Sequence, residues 1–291
     1  MAGRPPGLNR GAAARPGAPP PDRNASATSS ALWGVFADFP LLLLALLGNL
    51  VIIPLLGWGL AELLGLPTAS FIALVLVASS PGGPFGAKLA MVQNGDVVAG
   101  AAMQVLLAAI GSLTFGPTVN GILTAAKVGG GVSLDVAALV RTVAILHLVP
   151  FGLLLRHNAP RAAGSWHPTA IKVSNVTFLI VLVGMLLGNW RDVVALVGSL
   201  ALLAGFALAS AAFAVGTMLA TGPTVRRTTM GSVAAVRNVG PALAAVGIAF
   251  AGEPAILGAL AAVLLSGLVA ALPIAAFLSR GRGSLNTHAT R

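Results

Sequence analysis

FIALVLVASSPGGPFGAKLAMVQNG, residues 71–95, is an apolar run with Pro81, Gly82, Gly83 and Pro84 near its centre. A helix needs ~20 residues to cross a bilayer, and this run is long enough. It cannot do so unbroken. Each proline removes a backbone donor and crowds the preceding turn, while glycine lowers the cost of unwinding. A second stretch, TTMGSVAAVRNVGPALAAVGIAF at 228–250, carries Arg237-Asn238-Val239-Gly240-Pro241 in the same central place. Backbone groups freed by such breaks cannot face lipid, so they must face protein or a polar cavity. One break alone reads equally well as a kink. Two of them, each in the middle member of a three-span set, predict an inverted repeat whose discontinuous helices meet at the midplane. Secondary transporters hold substrates and ions at such junctions.

Outward from these stretches the chain keeps the same character. Of its 291 residues 57% are hydrophobic and 8% charged, against about 25% charged in a soluble domain. That composition excludes a soluble enzyme, a disordered protein and, with no Cys, a disulfide scaffold. Eight apolar runs are predicted to span: 39–64, 68–94, 97–124, 134–156, 169–190, 193–221, 227–251 and 254–279. The fold class is therefore an all-α polytopic membrane protein of about eight helices. Residues 1–33 read as a disordered basic tail, 39–125 as a first three-span repeat, 133–190 as a separate helix pair, 192–279 as a second three-span repeat, and 280–291 as a second tail. Twelve of the seventeen Lys and Arg residues fall on the side of the two termini, and only Lys127 and Arg191 on the other. The expected location is the plasma (inner) membrane, and the positive-inside rule then places both termini in the cytoplasm. It also accounts for the net charge of +10 without nucleic acid.

The stretch from Leu46 to Gln104 resembles the bile acid:sodium symporter family. The resemblance rests on the span from Asn49 to Pro54, on Pro81-Gly82-Gly83, and on Gly95-Asp96 opening the next span. Arg237-Asn238 and Gly240 stand where that family has its second crossing helix. The resemblance implies ten helices in two parts, a core with two crossed broken helices and a panel that moves against it. It also implies transport of organic anions, often coupled to sodium. Aligned on its first break, this chain starts at the family's third helix, which leaves the two helices of 133–190 as a reduced panel. Either the chain begins late, or a second protomer in a homo-oligomer supplies the rest, or the panel is smaller.

The resemblance further implies sodium ligands that the sequence lacks. The family's Thr-Ala-Ser-Asn after Pro-Gly-Gly is Pro84-Phe85-Gly86-Ala87 here, followed by Lys88. Its glutamate before the second break is Val233, and its Gln-Asn pair is Arg237-Asn238. A fixed cation beside a sodium ion opposes its binding, so no cofactor is expected and sodium is doubtful.

The candidate cavity residues are Lys88, Arg237, Asn238, Asn49 and His147, with Pro81, Gly82, Gly83, Pro84, Gly240 and Pro241 as hinges. Lys88 is about 9 Å along the axis from Asn94 and can snorkel. Arg237 is about 15 Å from the surface pair Arg226-Arg227, too far to do so, and ends its half-helix where the dipole favours a cation. His147 can titrate or touch substrate, or can hydrogen-bond structurally. None of the seven acidic residues lies deep in a span, and no nucleophile–base or phosphate-loop pattern is present, so no enzyme is expected. The expectation is a sodium-independent secondary transporter of a small organic anion. The alternatives are an efflux carrier of related fold and a transport-dead membrane protein that binds a ligand or partner.

Overall fold

The computed structural model describes residues 34, 37–130, 133–146, 160–188, 190–195 and 198–289. Asp38 caps the first helix by accepting the Leu41 amide on Oδ1 at 3.2 Å. From there α1 (Phe39–Leu47) runs through a π-helical turn (Gly48–Ile52) into α2 (Ile53–Leu63). The second apolar run divides into α3 (Thr68–Ser79) and α4 (Pro84–Val92). Asp96 caps α5 (Val97–Ala126) through the Ala99 amide at 3.0 Å, and Lys127 ends it in the left-handed conformation. Then follow α6 (Val136–Leu146), α7 (Pro160–Gly188), α8 (Trp190–Ala195) and α9 (Leu200–Leu219). The second broken run is α10 (Thr224–Ala235) and α11 (Val239–Ala249), and α12 (Pro254–Ala289) closes the order.

Among the described residues four helical stretches are long and apolar enough to cross a membrane: Phe39–Leu63, Val97–Ala126, Leu200–Leu219 and Pro254–Arg280. Their outer faces are apolar as well. Leu43, Leu47, Val51 and Leu55 are each 41–53% exposed at a spacing of four, so they form one stripe. In water that stripe would be a liability, and in a bilayer it meets hydrocarbon. The protein is a polytopic helical membrane protein. Its core gathers around α3, whose residues from Ser70 to Ser79 are all buried, as expected of a helix that is apolar all round. Phe115, Leu123, Leu208 and Leu260 pack with it.

Several expected boundaries move. The polar segment before the fifth run is helical from Pro160, because proline suits the first turn of a helix. The sixth run does not start at 193: α8 ends at Ala195, Gly198 takes a positive φ of 80°, and α9 begins at Leu200. The last helix continues through the expected tail to Ala289. Of the fourth run residues 134–146 are described, helical over Val136–Leu146. The expected N-terminal tail and His147 lie outside the described residues.

Candidate functional site at the crossing of two broken helices

The two breaks meet each other. Gly82 and Arg237 form an antiparallel backbone bridge. The Gly83 amide donates to the Val236 carbonyl at 2.6 Å, and the Asn238 amide donates to the Pro81 carbonyl at 2.7 Å. Each unwound segment thus supplies the partner that the other lost on leaving the helix, which answers the backbone accounting a bilayer imposes. Approach this close needs glycine: a Cβ on Gly82 would sit 2.7 Å from the Val233 carbonyl oxygen, and one on Gly83 would sit 2.7 Å from that of Arg237.

Four half-helix ends converge here, the C-termini of α3 and α10 and the N-termini of α4 and α11. The C-terminal carbonyls carry partial negative charge and lack helical partners. Arg237, 7% exposed, serves both. Its Nη2 donates to the Ala78 carbonyl of α3 at 2.8 Å, and its Nη1 donates to the Ala234 carbonyl of α10 at 3.2 Å.

The rest of the guanidinium goes to Asn49. Nη1 donates to Asn49 Oδ1 at 2.8 Å and Nη2 to the Asn49 carbonyl at 3.0 Å. Local sequence explains why that carbonyl is available. In the π turn the Ile53 amide bonds to Gly48 rather than to Asn49, and the next residue, Pro54, has no amide to offer. The Asn49 side chain is held in turn by donating from Nδ2 to the Ala45 carbonyl at 3.0 Å. A π turn at such a place is typical of a functional position in a helix.

Asn238 acts as a cap, its Oδ1 accepting the Gly240 amide at 3.1 Å at the start of α11. Pro241 is buried in the first turn of that helix. Lys88 is half-buried on α4, and the hydrogen bonds of Arg237 unite Asn49 with the two breaks. Two buried polar atoms at the crossing, Arg237 Nε and Ser79 Oγ, have no hydrogen-bond partner among the described residues. Beside them lies a cleft of about 70 Å³ lined by Arg237, Phe85, Val236, Val239 and apolar residues of α9 and α12. Among the described residues no group of three or more His, Asp or Glu could hold a metal ion.

The sequence reading missed Ser79 and the ionic groups at one membrane face. Arg226, at the start of α10, contacts Asp38 Oδ2 at 3.4 Å and Asp96 Oδ2 at 3.3 Å. The available signal was that both aspartates immediately precede apolar runs, in cap positions.

Residues 25–196 match the family model described as the Sodium Bile acid symporter family. The chain belongs to that family. The matched stretch holds α1 to α8 and the first break; Arg237 lies beyond it. No curated protein matches the chain. Membership in the sodium bile acid symporter family makes this a membrane transport protein, and the apolar helices agree.

Proposed function

We propose that the protein is a secondary transporter of a small organic anion and that it works without sodium. The observation that carries this reading is Arg237, a permanent cation bonded to both broken half-helix ends. It stands where discontinuous helices of transporters bring their charged ligands together. With its two Nη groups committed to protein oxygens, the Nε–H is the donor left for a substrate carboxylate or sulfonate. The apolar walls of the adjoining cleft suit the organic part. The oxygens a cation would require at this point already accept from the guanidinium, whose charge would oppose a second cation.

In the full reading eight spans form an inverted-repeat core with a reduced panel, both termini are cytoplasmic, and the membrane is the plasma membrane. Asn49 and Asn238 line the centre, and Lys88 adds positive charge on the approach to it. A fixed charge cannot leave with the substrate, so uphill transport needs another ion such as a proton, or the protein is a facilitator.

Flux of a radiolabelled bile acid and of shorter carboxylates into proteoliposomes, in sodium and in choline buffer, tests the reading. Equal flux in the two buffers is expected for the unsubstituted protein, with a loss of tenfold or more in Arg237→Ala and a smaller loss in Lys88→Ala. Strong sodium stimulation, or full activity in both variants, would overturn it.

A further inference from the structure

Arg237 holds its charge at the crossing without a carboxylate. All four of its hydrogen bonds go to neutral oxygens, three backbone carbonyls and the side-chain amide of Asn49. Among the described residues no Asp or Glu pairs with it. The crossing is nonetheless complete as it stands. Four of the five guanidinium N–H groups are bonded, and the charge faces the C-termini of α3 and α10, each carrying about half a negative charge. Such a junction needs no bound ion to hold it together, which lets the core change sides empty.

The acidic residues keep away from the membrane interior. Asp38, Asp96, Asp135 and Glu253 each stand immediately before a helix, Glu62 is in the last turn of α2, and Asp192 is in the short α8. Among the described residues, therefore, no carboxylate lies in the middle of a spanning helix, where proton relays and ion pathways place their charged groups. The charge that attracts the substrate is instead a guanidinium, which stays protonated and stays with the protein.

Charge conservation then sets a direction. Arg237 crosses with the core in one half of a cycle and returns in the other, so its own charge cancels. The net charge moved per cycle is the substrate's alone, one negative charge for a monocarboxylate or monosulfonate. An inside-negative potential pulls such an anion outward by about 2.3 kcal/mol per 100 mV, equal to about a fiftyfold concentration ratio. Bringing the anion in would require a cation to travel with it. At the crossing the guanidinium already takes the carbonyls of Ala78, Ala234 and Asn49, and its charge opposes a second cation beside it.

We propose that the protein is an electrogenic uniporter that lets an organic monoanion out of the cell, driven by the membrane potential. The proposal rests on the transport reading above and adds to it a direction and a driving force.

The test uses the unsubstituted full-length protein in proteoliposomes, so it depends on no variant folding. Radiolabelled pyruvate and taurocholate are the probes, both ionised at neutral pH, and protein-free vesicles give the leak. Valinomycin and a potassium gradient hold the potential, with the same pH buffered on both sides. At 100 mV inside-positive, at least one probe is expected to accumulate to about fifty times its outside concentration, and to fall to about one fiftieth when the potential is inverted. The ratios should be equal in sodium and in choline. A probe that accumulates on a pH gradient at zero potential, or that moves only in exchange for the same anion, overturns the uniporter and leaves sodium-independent transport standing. Accumulation driven by a sodium gradient, or no movement of either probe, overturns both.

Discussion

At the scale of single residues, Arg237 behaves as the keystone of the crossing. Its four hydrogen bonds reach three segments far apart in the chain. Removing the side chain leaves two helix-end carbonyls and the Asn49 carbonyl buried without partners, at about 1–3 kcal/mol each. Arg237→Met should therefore lower Tm in detergent sharply and reduce folded yield. Arg237→Lys should fall between, because an ammonium on one nitrogen cannot span acceptors that a planar fork reaches together. A Met variant as stable as the parent would show that the carbonyls find other partners. The cation itself was legible in the sequence, from its distance to the surface and its place at a helix end. Its tie to Asn49 was not: 188 positions separate the two, and only folding reveals that a π turn followed by Pro54 frees a carbonyl there. Arg226 shows the reverse case. Counted as one of the positive charges on the side of the termini, it gave no sign that two capping aspartates would converge on it.

At the scale of elements, the half-helices depend on contact between α4 and α10. A Cβ on Gly86 would stand 2.7 Å from the Val233 Cα and 2.9 Å from the Ser232 carbonyl oxygen. These are backbone atoms that cannot swing aside. Gly86→Ala is expected to destabilise by about 1–3 kcal/mol, the range for overpacking. Gly121→Ala is its control, since nothing lies within 4 Å of a Cβ there. In a helix interior that change should be neutral or stabilising by up to about 1 kcal/mol. Thermal unfolding of the two variants side by side checks both. Proline and glycine clusters announced the breaks, since they act on the backbone regardless of what surrounds them. Helix ends set by tertiary contacts were less legible: Pro160 starts α7 and Gly198 separates α8 from α9, while the apolar runs alone suggested later and earlier starts.

At the scale of the whole molecule, the charge asymmetry predicts that reporters fused at either terminus signal cytoplasm and one near Lys127 signals the outside. Termini on opposite sides would refute eight spans. Length adds a separate constraint. The apolar part of α12 covers 27 residues and α9 covers 20, about 40 Å and 30 Å of helix, and the two pack together. A bilayer thick enough for one does not fit the other. Either α12 leans, or lipid thickens around it, and each adjustment costs fractions of a kcal/mol per Å. The annulus of lipid becomes a partner whose chain length biases the bundle. Flux in reconstituted vesicles should accordingly pass through a maximum as acyl chains are lengthened, and a flat response would mean that tilt alone absorbs the mismatch.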